Sequence, residues 1–208
     1  SAAMGLTSGS HNIAIGRQTV GAGDYETGGA ADGNVGIGSY ALMELSGASN
    51  NVAIGHSALR DNTTGYSNIS IGYYAGVDNT TGWDNIFIGK QAAENMTTAS
   101  YNTYIGTEAG EYSTGGTENT VIGRQAWGVG VGTASMNVVV GAKAFLSGTS
   151  GNENVIMGYN AAGNATTTVR TVVIGNDAAL GLAGGSNNED SVYIGDSAGG
   201  TAVSGMRN

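Results

Sequence analysis

Asn51-Val52-Ala53-Ile54-Gly55 returns along the chain as Asn68-Ile69-Ser70-Ile71-Gly72, Asn85-Ile86-Phe87-Ile88-Gly89, Asn102-Thr103-Tyr104-Ile105-Gly106 and Asn119-Thr120-Val121-Ile122-Gly123. Weaker copies close on Gly16, Gly38, Gly141, Gly158, Gly175 and Gly195, with a degenerate one on Gly5. Between Gly38 and Gly175 the closing glycines stand 17 residues apart, with one step of 18. A fixed period of this length marks a repeat architecture in which each copy is one coil.

Counted from the closing glycine, position −1 is mostly Ile, position −3 mostly Val or Ile, and position −4 is Asn from the Gly16 copy to the Gly158 copy. Position +3 is Ala in ten of the eleven copies from Gly16 onward, Thr19 being the exception. β-Branched residues ending on a glycine predict a short strand followed by a corner that needs positive φ or close packing. Side chains at −3 and −1 share a strand face, read here as the inside of the coil. The alanine turns back inward, and turns such as Asn62-Thr63-Thr64-Gly65 complete the circuit. Frequent glycine among β-branched residues argues against helix.

A coil of 17 residues cannot bury its own apolar face, so coils must stack in parallel, with residue i over residue i+17. Equal columns then become ladders, Ile in the interior and Asn at the strand entry as an amide ladder. The fold class is therefore all-β, a parallel β-solenoid of about 12 coils forming a single domain over residues 1–208. Regular coils run over about 34–180, and the longer steps place insertions at 21–33 and 181–190.

With −3 and −1 inside, position −2 points outward. It reads Ala14, Gly36, Ala53, Ser70, Phe87, Tyr104, Val121, Val139, Ile156, Val173 and Tyr193, with no charge among them. A strand apolar on both faces is buried on both faces. Every coil uses the same outer column, so only another copy of the chain can cover it. Ala53, Ser70, Phe87, Tyr104, Val121, Val139, Ile156, Val173 and Tyr193 are accordingly predicted as an interface between copies.

Composition excludes several classes. Glycine numbers 38 and proline is absent, yet there is no Gly-X-Y period and hydrophobic residues make up 40%, which fits neither collagen nor simple disorder. Without cysteine there is no disulfide and no thiolate metal site. A net charge of −9 with seven scattered basic residues opposes nucleic acid and anionic membrane as partners. No apolar run reaches membrane-spanning length.

Motifs that imitate enzymes are explained by the repeat. Gly195-Asp196-Ser197-Ala198-Gly199 matches the nucleophile elbow, but no histidine follows it in the triad order. Gly36-Ile37-Gly38 imitates a dinucleotide fingerprint without the helix that motif requires. No catalytic, cofactor-binding or metal-ligating set is expected; carbonyls of Asn and Asp at the turns are the remaining candidates for Ca²⁺. The threonine pairs 63–64, 80–81 and 97–98 lack the outward alternation of an ice-binding array. Asn62, Asn79, Asn95 and Asn164 open N-x-[ST] sequons that an Asn/Thr-rich repeat produces by chance.

Aromatic residues on the outer columns are the candidate receptor contacts: Tyr66, Tyr73, Tyr74, Trp83, Tyr101 and Trp127. Rings in an Asn/Thr surface grip carbohydrate by stacking and hydrogen bonds. The two insertions are further candidates, since insertions in solenoids project and carry contacts.

The repeat Asn51-Val52-Ala53-Ile54-Gly55 with Ala58-Leu59 and Asn62-Thr63-Thr64-Gly65 resembles the head repeats of trimeric autotransporter adhesins, and more closely those of phage tail fibres. The likeness covers about residues 12–199. It implies a left-handed parallel β-roll assembled as a homotrimer about a threefold axis, located on a virion tail fibre or, alternatively, as an adhesin head on a bacterial surface. The implied work is structural and adhesive, presenting a rigid trimeric surface to a cell-surface glycan or protein, with no enzymatic activity. Adhesin heads have shorter coils, and the Asn-Thr-Thr-Gly turns fit the fibre branch. The neck, heptad stalk and membrane anchor expected after an adhesin head are not among these residues, and a fragment of a longer fibre is expected.

Overall fold

A three-residue strand precedes every closing glycine from Gly16 to Gly195 in the computed structural model, which describes residues 9–21, 30–129, 132–182 and 188–200. The chain divides into two compact units, Ser1–Asn102 and Thr103–Asn208. In the first, β1 (Ile13–Ile15), β2 (Val35–Ile37), β3 (Val52–Ile54), β4 (Ile69–Ile71) and β5 (Ile86–Ile88) pair in parallel in sequence order. In the second, β6 (Thr103–Ile105), β7 (Thr120–Ile122), β8 (Val138–Val140) and β9 (Val155–Met157) do the same. There β10 (Thr168–Val169) leads into β11 (Val172–Ile174), and β12 (Asn188–Glu189) into β13 (Val192–Ile194). β9, β11 and β13 continue the main sheet, while β10 and β12 form a second parallel pair on the return side of the coil. The register is that of the repeat: Val52 lies opposite Ile69, and Ile69 opposite Ile86. This is a parallel β-solenoid with a period of about 17 residues.

Nine such pairings, four in the first unit and five in the second, define about nine turns where 12 coils were expected. The coil that would close on Gly5 lies outside the described residues.

The inward and outward faces are the reverse of the sequence expectation. Ala53, Ser70, Phe87, Tyr104, Val121, Val139, Ile156 and Val173 are fully buried and Tyr193 is 6% exposed, all inside their own coils. The Ile and Val residues at −3 and −1 face outward, with Ile15 at 58% exposure and Ile194 at 65%. The predicted interface residues are therefore core, and cannot touch another copy.

The asparagine at −4 decides the parity. Strand side chains alternate, so −4 and −2 share one side. Asn51 is fully buried because its carboxamide is needed inside: Nδ2 donates to Asn34 Oδ1 (3.0 Å) and Gly65 O (2.9 Å), and the Asn51 backbone N–H also donates to Asn34 Oδ1 (3.0 Å). The same set recurs at Asn68, Asn85, Asn137 and Asn154, as the expected amide ladder. With Asn inside, −2 follows it in and the isoleucines are turned out.

Only one strand residue per coil fills the interior, so its size must be matched by what lies across from it. That partner is position +4. A Cβ on Gly36 would meet Val20 Cγ2 at 2.6 Å; one on Gly76 would meet the Phe87 ring; one on Gly110 would meet the Tyr104 ring; one on Gly199 would meet the Tyr193 ring. Large rings at −2 thus face glycine at +4, and where −2 is Gly36 or Ala53 the interior is filled by Val20, Leu42 and Leu59, all fully buried. Phe87→Ala is expected to cost about 3–5 kcal/mol through cavity formation, and Gly76→Leu to overpack against Phe87 by about 1–3 kcal/mol. The double variant is expected to recover at least about 2 kcal/mol of their sum, measured by urea denaturation as a double-mutant cycle. Leu fits the backbone there, since Leu59 at the equivalent site holds φ 48° and Gly76 holds 57°. Strict additivity would show that the two positions do not share a space.

Corners are not made by glycine alone. Non-glycine residues hold left-handed φ at up to three places per coil, as Ser57 (55°), Leu59 (48°) and Ser67 (55°) do after Gly55. Each costs an L-residue about 1–2 kcal/mol. The neighbouring coils compensate: Ser57 N–H donates to Ser39 O (2.9 Å), Leu59 N–H to Ala75 O (3.1 Å) and Ser67 N–H to Ser49 O (3.0 Å).

Candidate binding surface

Stacking places equal columns on top of each other, so outward aromatics at one column become neighbours. Tyr66 and Trp83 share position +11 and stack nearly parallel, centroids 5.3 Å apart at 13°. Tyr101, one position later in the next coil, meets Trp83 edge-on at 4.3 Å and 71°. A second group sits at +1 and +2: His56 stacks on Tyr73 (5.5 Å, 13°), Tyr73 contacts Tyr74 (4.4 Å) and Tyr40 meets the His56 edge (5.5 Å). The Arg17 guanidinium lies 5.5 Å from the Tyr40 ring centre. Sequence reasoning missed Tyr40, His56 and Arg17 in this group, although their shared +1 and +2 columns carry the signal.

Of the six predicted contacts, Tyr66, Tyr73 and Tyr101 are exposed, and Tyr74 and Trp83 are half-buried. Trp127 is a correction. It is fully buried, its Nε1–H donates to Gly148 O (2.6 Å), and its ring packs on Phe145. Position +4 points into the coil, which leaves this indole in the core.

In both groups the ring faces are largely spent on one another. A run of sugars stacked along either column is therefore blocked by geometry, and in the first group the Tyr66 face turned away from Trp83 meets no other ring among the described residues.

Asp32 is fixed in the column that leads to Tyr66. Its Oδ1 accepts from Ser10 N–H (2.6 Å) and Ser10 Oγ–H (2.9 Å), and these bonds hold its carboxyl below the usual carboxylate range. Its own N–H donates to Ser49 Oγ (3.2 Å). At the other end of the chain, the insertion at 181–190 is tied at its close by the Arg170 guanidinium, with Nε donating to Asp190 Oδ1 (2.6 Å). Residues 183–187 of that insertion, and 22–29 of the one at 21–33, lie outside the described residues.

The remaining motifs behave as parts of the repeat. Ser197 Oγ–H donates to Asp196 Oδ2 (3.4 Å), and no helix follows Gly36-Ile37-Gly38. The sequon asparagines Asn62 and Asn79 are fully buried, and each donates Nδ2–H to the carbonyl three residues on. Among the described residues no cluster of three His, Cys, Asp or Glu side chains forms a metal site, and no helix is long and apolar enough to cross a membrane. No family model matches the chain, and no curated protein or solved structure matches it.

Proposed function

We propose that the chain is a structural and adhesive fibre domain, the shaft or receptor-binding region of a phage tail fibre, built as a homotrimer of left-handed β-rolls. The observation that supports this is the outward strand face in each unit. In the first it runs Ile13/Ile15, Val35/Ile37, Val52/Ile54, Ile69/Ile71 and Ile86/Ile88; the second has its own such face, from Thr103/Ile105 to Val192/Ile194, again without a charge. A contiguous uncharged, largely apolar stripe of this kind marks an interaction surface. Its occupant is a second and third copy of the chain, whose identical period lets rung meet rung along the whole stripe. Threefold presentation would then raise a weak affinity for a cell-surface glycan or protein by avidity.

Sedimentation equilibrium tests the assembly. A trimer of about 62 kDa is expected, three times 20.7 kDa. Ile71→Asp should yield a folded monomer, because Ile71 is outward and 36% exposed. Ile156→Asp should instead unfold its coil, since Ile156 is fully buried. A wild-type monomer would overturn the assembly, and a trimeric Ile71→Asp variant would move the interface elsewhere.

A further inference from the structure

The stack Tyr66–Trp83–Tyr101 stops abruptly at Ser49. Six residues before each next closing glycine, the place that is +11 in the 17-residue coils, the chain reads Asp32, Ser49, Tyr66, Trp83 and Ser100 in successive coils, an alignment given by Asp32 N–H to Ser49 Oγ (3.2 Å), Ser67 N–H to Ser49 O (3.0 Å) and Trp83 N–H to Ser100 Oγ (3.1 Å). Tyr66 spends one face on Trp83. Its other face looks over the Ser49 rung, where a hydroxymethyl replaces a ring, and the residue is 44% exposed. Beyond Ser49, two rungs from Tyr66 and so about 10 Å away, stands the Asp32 carboxylate. Ser10 holds its Oδ1, and no hydrogen bond among the described residues takes its Oδ2.

We infer that the Ser49 rung is a binding site for one neutral pyranose, which completes the aromatic stack. The C–H face of the sugar lies on the free face of Tyr66, within the 4.5–7 Å centroid spacing that ring stacking uses. Vicinal hydroxyls on its far side donate to Asp32 Oδ2, a charge-assisted bond that a neutral donor makes without a buried counter-ion. The Ser49 hydroxyl, which already accepts from Asp32 N–H, keeps its own proton to donate to a ring or hydroxyl oxygen. An anionic sugar is disfavoured by Asp32 and by the net charge of −9. The second aromatic group has no step backed by a carboxylate: beyond Tyr73 its +1 column continues with the exposed Lys90, and beyond His56 with Ser39 and then the cationic Arg17.

This site deepens the adhesive reading and rests on it. Saturation-transfer NMR on the full 208-residue chain, with methyl α-galactoside, α-mannoside, α-glucoside and a methyl sialoside as probes, is the test. At least one neutral hexoside should receive saturation on the C–H protons of a single face and shift the Ser49 amide and the Trp83 indole. Ser49→Tyr, which fills the rung with another ring, should weaken that hexoside about tenfold or more while leaving the circular dichroism unchanged. Tyr66→Leu should do the same should Ser49→Tyr perturb the coil. Asp32→Asn should weaken it about tenfold, and Tyr73→Ala should change nothing. The site is overturned if no neutral hexoside binds, if binding survives Ser49→Tyr and Tyr66→Leu, or if the sialoside binds as tightly. Cell adhesion that persists when hexoside binding is absent would sink the site but not the adhesive reading. Absence of cell adhesion with hexoside binding intact would do the opposite.

Discussion

Gly72→Ala is expected to lower stability by about 4 kcal/mol or more, the sum of a backbone term and a steric one. Gly72 holds φ +142°, a conformation that an L-residue rarely adopts, and a Cβ there would run into the Gly89 carbonyl of the next coil. That carbonyl cannot move freely, because Gly89 N–H is bonded to Ile71 O (2.8 Å) and Gly89 O accepts from Ala92 N–H (3.3 Å). Gly195 provides the control. It holds φ +130°, but among the described residues a Cβ there meets only Ala198 Cβ, at 3.8 Å. Gly195→Ala should therefore cost only the backbone strain, about 1–3 kcal/mol. Urea denaturation of both variants measures the gap. Because repeat arrays can unfold locally, amide exchange at the Gly55 to Gly89 coils should be read alongside it. Equal losses in the two variants would remove close approach as the reason for the glycine column.

Asn68→Ala is expected to be comparably severe, about 3–6 kcal/mol, because it strands groups that water cannot reach. Asn68 Nδ2 donates to Gly82 O (2.8 Å) and Asn51 Oδ1 (3.1 Å), while its Oδ1 accepts from Asn85 N–H (3.1 Å) and Asn85 Nδ2 (3.0 Å). Removing the carboxamide leaves the buried Asn85 backbone N–H without its acceptor, while Gly82 O loses one of two donors and keeps Asn79 Nδ2 (3.2 Å). Asn68→Asp sharpens the test through pH. A carboxylate at that place still accepts from Asn85 but faces Gly82 O and Asn51 Oδ1, so its pKa in the fold is raised above the unfolded value. The folded state then binds the extra proton, and stability is greatest below the unfolded carboxylate pKa and falls as pH rises toward the folded one. A thermal melt of Asn68→Asp that is flat, or that rises with pH through this range, would contradict the assigned ladder.

Much of the fold was legible because the repeat is nearly exact in its spacing. The 17-residue step, the closing glycine, the alanine at +3 and the asparagine ladder were each read from columns, and each is present. Hydrophobicity alone assigns the faces the wrong way round. Val52 and Ile54 are more apolar than Ala53, but the buried hydrogen-bonding demand of Asn51 outranks that difference. A usable signal was present in the size pattern. Columns −2 and +4 trade volume, from Gly36 with Val20 to Phe87 with Gly76, as facing positions in one core must. The −3 and −1 columns keep nearly constant β-branched residues and show no such exchange.

The candidate surface divides along the same line. Column counting brought Tyr66 and Trp83 together, since residues a period apart in a parallel stack are neighbours whatever the details of the coil. It placed Trp127 outside, where the chain has it inside, because whether +4 points in or out depends on a run of left-handed residues that sequence composition does not announce. Periodicity alone thus determined the solenoid and its register: identical segments that satisfy one another's backbone groups can stack in only one phase. Tertiary structure decided which face is core, which rings spend their faces on each other, and where a rung is left empty above Ser49. Those outcomes depend on the hydrogen-bonding needs and volumes of partners one coil away, which no single copy of the repeat contains.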